Sequence, residues 1–360
     1  MMTQLKAYKK QVPQKAAKVK KLFIAGVGAV GNTLLKQVSR YNGDQNLRIL
    51  GVCNTRHVQW YDHSPKEYLL NDLLRGPAID WEEIINKLIS YDEKSVVFVD
   101  TTGSHEVAAL YLKLLKNKIH VVTPSKLANT QSQETFDLLH YTAAENGVDF
   151  LYETNVGAGL PVIYPIKNLI FTGDKILELS GVVSGTMTYL FSELDKGNSF
   201  SEAVIQARAL GYAEPDPRDD LSGEDVARKF LILARICGLQ IERNQLEVES
   251  LIPKELQAVD SATFLEKLHR FDSFWMDKLL EANQKGETLR YTGILKNGKI
   301  KVGIESVPKA SALGQLNGTN NLICIKSRRY YDQPLIIQGP GAGKEVTAAG
   351  VLADILAIFR

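Results

Sequence analysis

Asp225 and Lys229 stand four residues apart, so they share one face of any helix that contains them. They follow the segment GYAEPDPRDDLSG, residues 211–223. Pro215 and Pro217 forbid a helix interior there, and Pro217 pushes Asp216 toward extended geometry. Glu214, Asp216, Asp219, Asp220, Glu224 and Asp225 therefore crowd into a stretch that must bend before an apolar-periodic helix begins. Carboxylates at this density beside a helical lysine suit a site that holds a small zwitterion next to a proton donor. The same spacing also describes a surface ion pair worth little, and spacing alone leaves both readings open.

A second feature lies near the amino terminus. Gly26-Val27-Gly28-Ala29-Val30-Gly31 fits G-x-G-x-x-G, follows a short apolar strand (KLFIAG) and opens an amphipathic run with Val30, Leu34, Leu35 and Val38. In that context Gly26 permits a tight turn, Gly28 lets backbone approach a pyrophosphate, and Gly31 allows close helix–sheet packing. An acid at the end of the next strand would bind the ribose of NAD. Here the strand ends Cys53-Asn54-Thr55-Arg56, with no acid and with a guanidinium able to meet a 2′-phosphate, which favours NADP. Arg56 as a solvated loop residue is the alternative. Thr102 and Gly103 end a further strand, and Lys126 follows another, where ligands collect in doubly wound sheets. Glu153 and the alternating glycines of TNVGAGLP could turn carbonyls toward a hard cation. A plain turn before a helix with Pro161 at its first position is the stronger reading from spacing.

These residues require a scaffold. Strands are expected at Lys21–Gly26, Leu47–Asn54, Ser95–Asp100, Ile119–Thr123 and Asp149–Glu153, with helices between them near Trp81–Ser90, Glu106–Asn117 and Ser132–Asn146. Strands so separated imply a parallel sheet, because each crossover needs a helix. Beyond about Gly157 the rhythm changes. A strand through Ile176–Ser184, helices at Thr188–Leu194, Phe200–Ala209 and after Ser222, and strands near Tyr291–Leu295, Lys299–Ser306, Asn321–Ser327 and Leu335–Gln338 follow. Asn297-Gly298 signals a hairpin. A last helix spans Val346–Phe359. The fold class is α/β: a Rossmann-type doubly wound parallel sheet plus an α+β second domain.

Length and composition agree. A chain of 360 residues suggests two domains, and 44% apolar with 23% charged residues is ordinary for a globular protein. A net charge of +2 points to no nucleic-acid or membrane surface, and no apolar run reaches spanning length. The first twenty residues hold six lysines and no acid, which reads as a basic flexible tail. Cys53, Cys237 and Cys324 form no CxxC pair, and the six histidines show no metal-ligand spacing, so a reducing, cytoplasmic compartment fits.

GVGAVG, VVTPSKLANT, YETNVGAGLPVI, SGVVSGTMTYLFSEL, GYAEPDPRDDLSGEDVARK and GPGAGKEVTAAGVLADIL occur in this order. Together they resemble the homoserine dehydrogenases, most closely the dehydrogenase half of bifunctional aspartokinase–homoserine dehydrogenases, from about Lys21 to Ile358. The resemblance implies reversible, NADPH-dependent reduction of L-aspartate 4-semialdehyde to L-homoserine, in threonine, methionine and isoleucine biosynthesis. It implies Lys229 as the catalytic acid and base and Lys126 as a second functional lysine near cofactor and substrate. Glu214 and Asp225, with Asp219 beside them, would bind the substrate amino group. Thr102, Gly103, Gly211 and Gly343 would lie along the cofactor, and Glu153 with the carbonyls of Val156, Ala158 and Leu160 would hold sodium. It further implies a mixed sheet that pairs subunits into a homodimer or dimer of dimers. The domain plan is then a tail at 1–20, a nucleotide domain at 21–155 to which 339–360 returns, and a substrate and dimerisation domain at 156–338. Ser125 and Lys344 depart from the usual Asn, and Asn or Asp, of the family. No kinase segment or carboxyl-terminal ACT domain is visible, so no threonine feedback is expected within the chain.

Overall fold

A computed structural model describes residues 19–41, 47–62 and 73–358; the expected tail at 1–20 lies almost wholly outside them. The chain divides into two compact units. One comprises the residues up to Val122, then Leu139–Leu151 and the end from Ile355; the other comprises Thr123–Leu138 and Tyr152–Asp354.

In the first unit, β1 (Lys20–Ala25) pairs in parallel with β2 (Leu47–Cys53) and with β4 (Val96–Asp100). β5 (His120–Val122) and β6 (Phe150–Leu151) continue the sheet in parallel. β3 (Val58–Trp60) closes the other edge antiparallel to β2, giving the order β3-β2-β1-β4-β5-β6. Leu22, Phe23, Ile24, Val97, Phe98 and Val99 are wholly buried. Central strands of a parallel sheet are covered on both faces, which is why they read as unbroken apolar runs. The described helices of this layer are α1 (Ala29–Arg40), α2 (Trp81–Ile89), α3 (His105–Ala109), α4 (Tyr111–Lys116) and, from Leu139 onward, α5 (Gln133–Asn146). The single helix expected at 106–117 is thus two, meeting at Leu110. β3 escaped the sequence because three residues, VQW, show no usable period.

The second unit is built on a sheet ordered β12-β11-β7-β9-β10-β8. Its strands are β7 (Ile176–Val182), β8 (Glu247–Val248), β9 (Glu287–Lys296), β10 (Lys299–Pro308), β11 (Asn320–Ser327) and β12 (Leu335–Pro340). Every pairing is antiparallel except β10 with β8, so the sheet is mixed. Asn297 (φ 51) and Gly298 (φ 74) both take left-handed backbone between Lys296 and Lys299, the two-residue turn that suits strand twist. Its helices are α6 (Ile163–Phe171), α7 (Gly185–Asp195), α8 (Phe200–Ala209), α9 (Arg218–Leu221), α10 (Glu224–Ile236), α11 (Ser261–Lys267), α12 (Asp272–Gln284) and α13 (Lys344–Ala357). The bend at 211–223 contains α9, which starts once Pro217 has set the helical dihedral. Pro161 is not the first residue of α6 as expected; Val162 is the cap and the helix begins at Ile163.

The two units do not meet at a single boundary near residue 155. Residues 123–138, with Lys126, and α13 as far as Asp354 belong to the second unit rather than to the nucleotide domain. Asn155 draws the first of these in by donating to the Thr123 and Ser125 carbonyls. Gly350 allows the second: a Cβ there would lie 2.4 Å from the Thr154 Cγ2.

α10 carries Asp225 and Lys229, and its start depends on one glycine. Gly223 caps it with φ 76, and a Cβ there would fall 1.9 Å from the Tyr291 hydroxyl, which is itself committed to the Glu249 carbonyl at 2.6 Å. Gly223→Ala therefore combines left-handed strain with a clash. Urea unfolding should show a loss of more than about 1 kcal/mol; an unchanged midpoint would mean that the helix start tolerates another geometry.

Candidate functional site

The glycine loop of the first unit has the form its spacing implies. β1 ends at Ala25, and Gly26 turns with φ 91. A Cβ on Gly31 would lie 2.0 Å from the Gly26 carbonyl oxygen, so α1 can pack this close only with glycine there. A Cβ on Gly28 would meet nothing within 4 Å, and no side chain caps α1. The Thr101 hydroxyl donates to the Gly26 carbonyl at 2.6 Å and ties the loop to the end of β4. Buried Asp100 shapes the next turn by accepting from the Thr102 N–H at 2.7 Å and its hydroxyl at 2.6 Å. Burial pushes the Asp100 carboxyl above its ordinary range against the hydrogen bonds from Thr102 and Tyr111.

A cavity of about 600 Å³ opens over this loop. Of the residues expected at a dinucleotide, Gly26, Val27, Gly28, Asn54, Thr102 and Gly103 border it. Ala29, Val30 and Gly31 form the first turn of α1 and are not among the bordering residues. Asn54 is committed as scaffold: its Oδ1 accepts the Arg56 N–H at 2.7 Å and the His57 N–H at 2.8 Å. Arg56 is exposed and is not among the bordering residues. Sequence reasoning missed Thr55, Ile79, Trp81, Thr101, Ser104, Glu106 and Val107. Ile79 comes from the connection after β3, which carries no motif, and Trp81 is the first residue of α2. The one acid among the bordering residues, Glu106, comes from α3 and not from the end of β2.

In the second unit Lys229 is buried, 9% exposed, and donates to the Val183 carbonyl at 2.6 Å. Its Nζ also lies 2.6 Å from Asp225, and the Lys126 Nζ lies 3.2 Å from the other oxygen of the same carboxylate. Asp225 thus bridges two ammonium groups. Burial lowers the proton affinity of Lys229; Asp225 opposes this, and the Lys126 charge adds to it. Burial would raise Asp225, but the two lysines outweigh it and hold the carboxyl far below its usual range.

The acidic segment beside them divides by role. Asp220 accepts the Glu214 N–H at 2.8 Å and lies 2.9 Å from the Thr186 hydroxyl, so it fixes the loop. Asp216 pairs with Arg218, which also reaches the Val259 carbonyl. Glu214 and Asp219 are exposed, and their carboxylates accept no hydrogen bond among the described residues. With Asp220, Asp225 and Arg228 they border a cavity of about 850 Å³. Gly211 (φ 71) follows α8 and Gly343 (φ 128) precedes α13, both in the second unit.

The Glu153 loop differs from a simple ligand set. Glu153 Oε1 accepts the N–H groups of Val162 and Ile163 at 2.5 and 2.7 Å, and Oε2 accepts that of Tyr164 at 2.8 Å. The carboxylate caps α6, whose own cap residue is valine and has no acceptor. The carbonyl oxygens of Val156, Ala158 and Leu160 accept no backbone hydrogen bond among the described residues. No group of three or more His, Cys, Asp or Glu among those residues could hold a metal ion. Asp354 of α13 accepts the Glu153 N–H at 3.0 Å.

These two features define a protein that pairs a Rossmann-type nucleotide-binding unit with a lysine–carboxylate site on a separate sheet. The chain belongs to the homoserine dehydrogenase family: the model of the homoserine dehydrogenase domain matches residues 161–356, and that of the homoserine dehydrogenase NAD-binding domain matches residues 26–153. It is 39% identical to the bifunctional aspartokinase/homoserine dehydrogenase of Haemophilus influenzae over 94% of this chain and 43% of that protein. It therefore spans about two fifths of that bifunctional relative. It is 38% identical to the homoserine dehydrogenase of Emericella nidulans, covering 94% of this chain and 98% of that one. A Candida auris protein of unknown function has the same fold, with a TM-score of 0.88 at 32% identity over 95% of this chain and 98% of that chain. No described helix is long and apolar enough to cross a membrane.

Asp354 has a consequence for stability. Burial, with the Glu153 charge beside it, raises its carboxyl from 3.8 to about 7. The folded chain then holds a proton that the unfolded chain releases, so this contribution is full below 3.8 and is lost as pH rises through about 7. Asp354→Asn should gain stability relative to the parent as pH rises from acid to neutral in urea titrations. A constant difference across that range would remove the assignment.

Proposed function

We propose that this chain catalyses the reversible reduction of L-aspartate 4-semialdehyde to L-homoserine with NADP(H) as the preferred carrier. The observation that carries the reading is buried Lys229, held 2.6 Å from Asp225 with Lys126 on the other edge of that carboxylate. A bound dinucleotide would supply the hydride, or receive it in reverse, held by Gly26, Gly28, Thr102 and Gly103 around a loop that leaves room at Gly28. Lys229 protonates the carbonyl oxygen as negative charge builds there, and it removes the same proton in the oxidative direction. A lysine whose proton affinity is lowered by burial is the better acid for this, and its neutral form is reached nearer to neutral pH. Asp225 keeps the Nζ aimed, and Lys126 adds positive charge beside the developing oxyanion. Asp225 is already shared by two lysines, so the substrate ammonium goes to the open carboxylates of Glu214 and Asp219. The missing acid at the end of β2 and the nearby Arg56 support NADP over NAD.

Turnover of NADPH and NADH with aspartate semialdehyde tests this. Lys229→Ala should lower kcat by at least about 100-fold. Arg56→Ala should raise the KM for NADPH about tenfold and leave that for NADH alone. No turnover by the parent would sink the enzymatic reading; full turnover by Lys229→Ala would reassign only the acid; preference for NADH would remove the role of Arg56.

We also assign a monovalent cation of the size of sodium to the open carbonyls of Val156, Ala158 and Leu160 with the remaining lone pair of Glu153. Bound only by the folded chain, it stabilises by mass action. Sodium chloride should raise Tm above the value in choline chloride of equal ionic strength. Identical curves in the two salts would argue against the site.

A further inference from the structure

Lys126 reaches Asp225 from a turn and not from a regular element, so something must hold that turn. The described residues supply a buried clamp on the same helix that carries Asp225 and Lys229. The Arg235 side chain, in the last turn of α10, is 0% exposed. Its Nη1 donates to the carbonyls of Asn129 at 2.9 Å and Gln131 at 2.8 Å. Its Nε and Nη2 donate to the Ile241 carbonyl at 3.2 and 3.0 Å, and Nη2 also reaches Glu242 at 3.2 Å. All five guanidinium protons are thereby used, in a fork that lysine cannot reproduce. Glu242 is fixed in turn by the Gln133 N–H at 2.8 Å, and Gln133 accepts the Ile241 N–H at 3.1 Å.

The clamped carbonyls belong to the turn that begins at Lys126. The Thr130 N–H and hydroxyl both donate to the Lys126 carbonyl, at 3.1 and 3.0 Å. Asn129 is bonded to Asn155, which also holds the Ser125 carbonyl. Only Asn155 and Arg235, among the described side chains, tie this turn to other elements of the second unit by hydrogen bonds to its backbone carbonyls. We propose that Arg235 is a positioning residue: by pinning the 129–131 carbonyls it keeps Lys126 on Asp225 and so sets the charge felt by Lys229. This rests on the assignment of Lys229 as proton donor. The charged groups that face Lys229 are Asp225 on α10, Lys126 on the clamped turn and Asp220 at the end of α9. Releasing Lys126 removes the cation that disfavours protonated Lys229 and leaves Asp225 less neutralised, and both changes favour the protonated lysine.

The test is the pH profile of kcat/KM for homoserine oxidation, which requires neutral Lys229. Lys126→Ala should move the rising limb up by about one pH unit, a tenfold change in proton affinity. Arg235→Lys should move it in the same direction, and the double variant should move it no further than Lys126→Ala alone. A purely structural Arg235 would lower kcat at every pH without moving the limb, and its effect would add to that of Lys126→Ala; either result overturns the proposal. If Lys126→Ala itself leaves the limb in place, the roles given to Lys126 and Lys229 fail instead, so the two failures are distinguishable. Should Arg235→Lys not fold, Glu242→Gln loosens the same clamp from its far side. It should shift the limb upward by a smaller amount, and an unmoved limb beside a shifted Lys126→Ala profile again overturns the proposal.

Discussion

Burying the Lys229 ammonium is the constraint around which the second unit is arranged. An isolated charge in that position would be costly, and the usual responses are to lose the proton or to acquire a partner. This chain supplies partners and also lowers the proton affinity of the lysine. Asp225 and the Val183 carbonyl keep the ammonium tolerable, while burial and Lys126 make its proton easy to remove. An exposed pair at the same spacing would contribute less than about 1 kcal/mol and have no chemical use. What separates the two readings is exposure of one partner, a property of tertiary packing that the i, i+4 spacing does not contain.

Holding that arrangement explains features far along the chain. Asp225 sits in the first turn of α10, where the helix dipole favours a carboxylate, and Gly223 lets the chain enter that turn under the Tyr291 hydroxyl. Phe230, one residue beyond Lys229, lies over Gly293 so closely that a Cβ there would come within 2.2 Å of the ring. The helix is thus seated on β9 at the same level as the lysine. The proline-rich bend ahead of it is not a passive loop. Its Asp220 accepts the Glu214 N–H and lies beside the Thr186 hydroxyl, so it holds the bend, while the carboxylates of Glu214 and Asp219 stay exposed.

Much of this was legible before any coordinates. The parallel sheet follows from unbroken apolar runs separated by helical stretches, and the hairpin from Asn-Gly, because those signals are local. The glycine loop was legible for the same reason: each glycine answers a contact within its own turn or with the adjacent strand. The resemblance to the family named Lys229 and Lys126, but no spacing could show that they share the carboxylate of Asp225, which lies ninety-nine positions beyond Lys126. Nor could it show that residues 123–138 pack with the second unit, since an apolar strand followed by a turn looks alike in either. Ile79 at the cavity over the glycine loop was invisible because the connection after β3 obeys no motif, and Trp81 because the start of a helix does not say which space its first side chain lines.

Glu153 illustrates a more general difficulty in reading ligands from sequence. A carboxylate next to alternating glycines looks like half of a cation site, and the carbonyls of Val156, Ala158 and Leu160 accept no backbone hydrogen bond among the described residues. Yet its first obligation is to backbone. α6 starts at a valine that cannot cap, beside Pro161, which has no N–H, and three N–H groups turn inward with no acceptor but Glu153. Asp354 then satisfies the N–H of Glu153 itself. Burial, with the Glu153 charge beside it, displaces the Asp354 carboxyl to about 7. Any cation that settles here enters a neighbourhood already arranged by helix geometry, in which Glu153 serves three N–H groups before it can serve a ligand.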